Sequence, residues 1–479
     1  MLNITDATRA ASQLKAEGRW AEAVAAYEAI TRAFPGHAVA FHNLASTLGD
    51  AGRPAAAEQA ARQAMRLGLD APETRLVCAR AVQSQGRFDE AGELFREALK
   101  RRPFYLDALR DLAQLRWMCT ASAAEAVVPV DAALARAPGE PELLLLKAQV
   151  LGACNEPAAE LALLRQASAA QPGHARLAHA LASAALRAGE AAESWAAAQR
   201  AAALAPDEPA THVAVIDALL VLGEARQAEQ VALAQQARRP PDQHLLARLA
   251  IAWRLLGDAR YGELYDYDGL VSVLELATPP GWASLPDYLA ELEAVLHAEH
   301  RYRTHPFQQS IRDGSQVANV MQLPHPAAQA LAQAIDAPIR EHLARLGQGA
   351  DPVRALNRGG YATHGGWSIR MQAGGRHVNH VHPEGWISTA CYIQRPGTLQ
   401  GREGHLKLGE PGVPMNPLPP PERYVEPRLG RIVFFPSYMW HGTVPFSTEG
   451  VRMSVAFDLV PGPARTLTSA PGGSPRRGG

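Results

Sequence analysis

The stretch HVNHVHPEGW, His377 to Trp386, crowds three histidines and a glutamate together. Imidazoles and a carboxylate at this density point to metal-ligand chemistry. In an extended segment alternate side chains share a face. His380 and His382 therefore point one way and Val381 the other, so two imidazoles from one strand could meet one ion. A second register competes: His382 and Glu384 have the same spacing and supply a carboxylate, although Pro383 and Gly385 mark a turn there. A further ligand must come from a distant strand. FFPSYMWHGTVPF supplies His441, directly after the apolar run RIVFF. Arg452 and Ser454 follow in VRMSVAFDLV and share one face by the same alternation, which lets them point into the same interior as His441. His377 reads as a surface or substrate-facing residue, and Trp386 and Trp440 as core or pocket-wall residues.

These residues need strands to hold them. GWSIRMQ, WISTACYIQ, GHLKLG, RIVFFPS and RMSVAFDLV are short runs rich in β-branched and aromatic residues, bounded by Gly and Pro. Many short strands with no long helices between them predict an antiparallel sandwich or jelly-roll barrel. Ahead of them, SLPDYLAELEAVLHAEHRYR predicts an amphipathic helix with Leu289, Leu292 and Leu296 on one face. QQSIRDGSQ, Gln308 to Gln316, is polar and reads as a substrate loop or a helix cap. The terminal SAPGGSPRRGG has the composition of a disordered tail.

The first ~250 residues have a different texture, rich in Ala, Leu, Arg, Glu and Gln, which favours helix. AEGRWAEAVAAYEAI, DAGRPAAAEQAARQA and SQGRFDEAGELFREA align on Gly18, Gly52 and Gly86, a period of about 34 residues. The slot returns at Gly189, Gly223 and Gly257, with Thr120 and Cys154 filling it in the middle. A small residue follows five places later at Ala23, Ala57, Ala91, Ser194 and Ala228. Prolines keep the same beat at Pro35, Pro103, Pro138, Pro172, Pro206 and Pro240. The glycine allows a tight turn between two helices, the small residue allows close approach, and the proline ends the second helix. These units resemble tetratricopeptide repeats, with about seven of them over roughly residues 7–258. That resemblance implies a superhelix whose concave groove takes a peptide or protein.

Bulk properties narrow the function classes. Lys+Arg number 47 against Asp+Glu 48, so no basic stripe argues for nucleic acid and no polybasic block for anionic lipid. No apolar run is long enough for a bilayer, and the N-terminus lacks the pattern of a signal peptide. The four cysteines are scattered, without the paired spacing of structural zinc or a disulfide framework. A cytoplasmic protein, binding neither nucleic acid nor membrane, is expected.

Taken together, the C-terminal stretches resemble the iron(II)/2-oxoglutarate oxygenases. More narrowly, they look like the oxygenase domain fused behind tetratricopeptide repeats in bacteria. The resemblance covers roughly residues 260–462 and rests on LHAEHRYRTHPFQQSIRDGSQ, WSIRMQAGGRHVNHVHPEGWISTACYIQRP, HLKLGEP and GRIVFFPSYMWHGTVPF with RMSVAFDLVP. It implies a multidomain α + β chain: an α-solenoid over 1–258, a double-stranded β-helix (jelly-roll, cupin-like) domain over 259–465, and a tail over 466–479. It also implies Fe(II), 2-oxoglutarate as co-substrate, and O2. The implied ligands are His380, His382 and His441, with Glu384 as the alternative near ligand. Arg452 and Ser454 would clamp the far carboxylate of 2-oxoglutarate, and Tyr392 would hydrogen-bond it from the following strand. The family's commonest near pair is His-x-Asp or His-x-Glu, whereas a histidine stands at His382. In the oxygenases this domain resembles, His-x-His is usual and the position of Glu384 is often not acidic; Glu384 would then orient a ligand histidine from outside. The expected activity is a dioxygenase that hydroxylates a C–H bond, acting on a peptide or protein brought in by the repeats. Two other readings stay open: a three-histidine dioxygenase that needs no 2-oxoglutarate, and a non-catalytic repeat scaffold.

Overall fold

The computed structural model describes residues 3–238 and 242–462. Pro240 and the expected tail over 466–479 lie outside the described residues.

Two compact units emerge. The described residues of the first fall within 1–223, 298–322 and 414–416; those of the second fall within 224–297, 323–413 and 417–479. The helices Ala225–Gln236 and Gln243–Leu256, which by composition belong to the repeats, therefore group with the strands.

In the first unit, six helix pairs run from Ile4–Ala16 with Trp20–Ala33 to Ala175–Arg187 with Ala191–Leu204, and Pro209–Val221 follows. The periodic residues do what their chemistry predicts. Gly18, Gly52, Gly86, Gly189 and Gly223 all take positive φ between their helices, a region only glycine enters without a Cβ penalty. Ala23, Ala57 and Ala91 are fully buried, and Ser194 is nearly so, donating its hydroxyl to the Ala182 carbonyl at 2.9 Å. One expectation needs correction. In the two middle pairs the left-handed residues are Ala121 (φ 56°) and Asn155 (φ 62°), not Thr120 and Cys154. Gly189 lies one residue more than three periods beyond Gly86, so the slot shifts by one after the third pair.

The chain returns to this unit after the helix Leu285–Glu299. Tyr302 stacks on Phe88 with ring centroids 4.6 Å apart, and the Gln83 amide donates to its hydroxyl at 3.1 Å. The Phe307 amide donates to Gln114 at 3.0 Å, and its ring is buried among Leu109, Trp117 and Val150. Arg301 donates to the Gln85 carbonyl beside Gly86.

The strands are β1 (Ser272–Glu275), β2 (Ile311–Ala318), β3 (Tyr361–His377), β4 (Ile387–Gln394), β5 (Leu406–Leu408), β6 (Arg423–Val425), β7 (Arg431–Pro436), β8 (His441–Thr443) and β9 (Arg452–Pro461). The QQSIRDGSQ segment is thus largely strand β2 rather than a loop or cap, since Ile311, Ser315 and Gln316 turn inward. Within the second unit one antiparallel sheet runs β1-β7-β4-β9-β3 and the other runs β6-β5-β8, a jelly roll of the expected class. Strands β4, β7 and β9 of the large sheet are buried on both faces. On its outer face Phe434 lies opposite Thr389 and Ser272. His342 stacks on Phe434 at 4.8 Å, its Nδ1 2.8 Å from the Ser272 hydroxyl. His342 belongs to Pro326–Leu346, a helix of 21 residues that precedes β3, so the run of strands from β3 to β9 has no long helix within it, as expected. Its interior Pro338 breaks the sequence pattern, but the Ala-rich turns ahead of it favour helix and carry the chain past it. The inner face carries the polar residues Arg452, Ser454 and Asp458.

Candidate metal centre

The geometry starts from period two on β9. Arg452, Ser454 and Asp458 lie on one face, opposite Met371, Ile369 and Ser388 respectively on the neighbouring strands. Tyr392 on β4 faces Ser454 across the ladder. Just past β3, His380 makes an isolated antiparallel bridge to His441, the first residue of β8. Reciprocal backbone bonds of 2.9 and 3.1 Å hold the two residues side by side. His382 is anchored by its amide to the Ser437 carbonyl at 2.9 Å.

The three imidazoles of His380, His382 and His441 converge, with their ligand nitrogens all within 4.8 Å of one another. Each Nδ1 faces an acceptor. For His380 it is the Val378 carbonyl at 2.9 Å, for His441 the Met439 carbonyl at 3.0 Å, and for His382 the Asp458 carboxylate at 2.6 Å. A ring that donates from Nδ1 presents its lone pair on Nε2. The Nε2 atoms of His380 and His382 are 3.2 Å apart. Two adjacent nitrogens at right angles on one ion would sit ~3 Å apart, given metal–nitrogen bonds of ~2.1 Å. Burial first, and the neighbouring His382 second, depress the His380 pKa to about 3. Burial, then His380 and His382, hold His441 well below the usual range. Neutral imidazole is the form that binds a metal. Phe435 lies 4.6 Å from the His441 ring and walls the site on its apolar side.

In the same interior as the histidines lies a buried cation. Arg452 is 2% exposed, and among the described residues no carboxylate pairs with it. Its Nε donates to the Gly404 carbonyl at 3.1 Å. Its Nη1 has only the Ser454 hydroxyl at 3.4 Å and the Met371 sulfur at 4.0 Å. The Tyr392 ring lies 5.1 Å from the guanidinium; its buried hydroxyl interacts with that cation but makes no well-formed hydrogen bond. Burial raises the Tyr392 pKa and lowers that of Arg452. A buried cation with weak partners beside such a hydroxyl suits a ligand carboxylate, which would accept from all three residues.

Glu384 stands apart. It sits on an exposed turn, its side chain 78% accessible, and pairs with His364 at 3.2 Å. His377 stacks 5.6 Å from His380 but is not in the converging group. Trp386 and Trp440 are buried and donate to the Val353 and Ala247 carbonyls. Sequence reasoning missed Asp458, Ser388 and Ser437. The same alternation that pairs Arg452 with Ser454 extends to Asp458, so the signal for that residue was present in RMSVAFDLV.

Residues 365–458 match the family model described as "Putative 2OG-Fe(II) oxygenase". The match takes in all three histidines, Tyr392, Arg452 and Ser454. The family implies iron(II), 2-oxoglutarate and dioxygen, and the histidine group fits iron. No curated protein matches the chain. Among solved structures, part of a tetratricopeptide-repeat protein from Cytophaga hutchinsonii aligns at 12% identity, covering 50% of this chain and 99% of that one, with TM-score 0.36. A tetratricopeptide repeat protein from Parabacteroides merdae aligns at 14%, covering 52% and 98%, also with TM-score 0.36. A thermophilic repeat protein from Thermus thermophilus aligns at 23%, covering 38% and 100%, with TM-score 0.29. At these scores the likeness carries no argument, and the repeat architecture rests on the helix pairs and their loop glycines. Among the described residues no helix is long and apolar enough to cross a membrane.

Proposed function

We propose that the C-terminal domain is an Fe(II)/2-oxoglutarate-dependent dioxygenase, with His380, His382 and His441 as the metal ligands and Arg452, Ser454 and Tyr392 as the co-substrate clamp. The observation that carries this reading is the pairing of two features in one interior: three converging imidazoles and a buried arginine without a carboxylate partner among the described residues. The overall reaction converts 2-oxoglutarate, O2 and a substrate C–H into succinate, CO2 and C–OH. Iron would supply the site at which O2 is activated, which protein side chains cannot do.

The chain's own residues do the rest. The Val378 and Met439 carbonyls and the Asp458 carboxylate fix the histidine tautomers. Arg452 supplies a planar fork, Ser454 a hydroxyl and Tyr392 a further donor for the far carboxylate. Phe435 and the apolar strand floor keep water away from the reacting centre. A three-histidine shell carries no negative charge, which favours an anionic co-substrate. The repeats support a peptide or protein as the substrate, or as the partner that delivers it; this part of the proposal rests on architecture alone.

The test is anaerobic addition of Fe(II) and then 2-oxoglutarate to the purified protein, watching for the weak visible charge-transfer band of a bidentate 2-oxo acid chelate. The band is expected in wild type and in Glu384→Ala, and is lost in His380→Ala, His382→Ala and Arg452→Ala. Loss in Glu384→Ala with retention in His380→Ala would move the near pair to His382 and Glu384. The three-histidine shell also favours one other reading, dioxygenation without 2-oxoglutarate. Tight iron uptake, no band, and turnover unaffected by Arg452→Ala would establish that reading instead.

A further inference from the structure

We propose that Asp458 is a positioning residue of the metal centre, supplying through the His382 imidazole the negative charge that the three ligands lack. The inference rests on the reading of His380, His382 and His441 as metal ligands and deepens it.

The three histidines are oriented unequally. His380 and His441 use backbone carbonyls, which are neutral and come with the fold. A third carbonyl would fix the His382 tautomer equally well. Instead His382 Nδ1 meets a carboxylate at 2.6 Å, in a residue only 4% exposed. Burying a carboxylate is costly unless a positive charge and hydrogen bonds compensate it. A metal ion bound at Nε2 places that positive charge on the far side of the same ring. The carboxylate in turn raises the basicity of the ring and strengthens its bond to the metal.

The surroundings are built for this role. Asp458 Oδ1 accepts from the Ser388 hydroxyl at 2.8 Å, and Ser388 lies 2.9 Å from the Ser437 hydroxyl. Ser388 Oγ is also 3.0 Å from His382 Nδ1, so serine, aspartate and imidazole form one closed cluster. Backbone bonds tie it to the site, because the Ser437 carbonyl accepts from His382 and the Ser437 amide donates to Trp386. Gly385 leaves the space: a Cβ there would stand 3.0 Å from the Asp458 carboxyl carbon and would overlap the Ser437 hydroxyl. Oxygenases with a His-x-carboxylate pair place the anion on the metal. Here it stands one bond network further out, leaving a third imidazole at the metal and keeping a charge on β9, the strand that carries Arg452 and Ser454.

The test uses metal affinity of the full-length apoprotein, measured by chelator competition with Co(II) and, anaerobically, with Fe(II). Neither 2-oxoglutarate nor turnover enters the measurement. Asp458→Asn keeps the shape and an acceptor oxygen but removes the charge. It is expected to weaken both metals about 10–100-fold and to shift the Co(II) d–d bands, with apoprotein thermal stability unchanged or raised. Asp458→Glu, which restores the charge at a slightly different reach, is expected to recover part of the affinity. Affinity lost in His380→Ala but kept within about threefold in Asp458→Asn would overturn the Asp458 assignment alone. So would a fall in stability without a change in affinity or spectrum. Affinity indifferent to both His380→Ala and Asp458→Asn would overturn the three-histidine ligand set itself.

Discussion

Replacing Arg452 with methionine should raise stability and abolish co-substrate binding at once. The guanidinium is 2% exposed, has no carboxylate partner among the described residues, and makes one good hydrogen bond, to Gly404. Its desolvation is therefore poorly compensated in the protein alone. Exchanging poorly compensated buried charge for an apolar side chain of similar length stabilises proteins by about 1–4 kcal/mol. If 2-oxoglutarate binds as proposed, the same cation gains a carboxylate, and removing one partner of a buried pair costs about 3–5 kcal/mol. At about 1.4 kcal/mol per decade, this is a rise of two to nearly four decades in Kd. Urea denaturation of the apoprotein reads the first effect. Anaerobic calorimetric titration of 2-oxoglutarate into Fe(II)-loaded protein reads the second. Opposite signs are the signature of a cation held ready for a ligand. A drop in apoprotein stability together with an unchanged Kd would refute the reasoning and make Arg452 a structural residue.

Other expectations follow from the same geometry. Burial holds the His342 pKa down, from 6.5 to about 4, so as pH falls the unfolded chain takes up that proton first. The His342 contribution is therefore fully present above ~6.5 and fades towards ~4; His342→Leu should lessen the loss of stability between pH 7 and 4.5 by about 2 kcal/mol, read by urea melts of both apoproteins. Gly86 has φ 78°, and a Cβ there would meet the end of the Arg301 side chain. Gly86→Ala should cost about 1–2 kcal/mol from the backbone alone, and Gly18→Ala, with open space around it, should cost the same if Arg301 swings aside freely. Tyr302→Ala removes the stack on Phe88 and should speed amide exchange over residues 301–307 at least tenfold, a loss of about 2 kcal/mol in local stability.

The periodic parts of the fold were legible because each rests on one residue type doing one job. Glycine at the turn, alanine at the helix contact and proline after the second helix leave a mark that packing does not override. The grouping of these side chains was legible for a similar reason: alternation along an extended segment is geometric, so the convergence of His380 with His382 and the shared face of Arg452 and Ser454 could be drawn on paper. Reading failed where a local signal and the tertiary setting disagreed. Pro338 masked the helix Pro326–Leu346, and the polar run Gln308–Gln316 concealed a strand whose inward positions include Ser315 and Gln316. Asp458 went unread because a lone aspartate in an apolar strand has no partner in sequence. Its partner, His382, stands far back along the chain.

The docking of Tyr302 and Phe307 on the third and fourth helix pairs limits what else can bind there. Any peptide reaching Phe88, Gln114 or Trp117 must first displace a competitor carried on the same chain. If each buried aromatic contributes about 2 kcal/mol, the segment is lifted about one part in a thousand of the time. A visitor would then bind about a thousandfold more weakly than the bare surface allows, turning a micromolar contact into a millimolar one. Any guest of the repeats would therefore favour helix pairs that the chain has not already covered for itself.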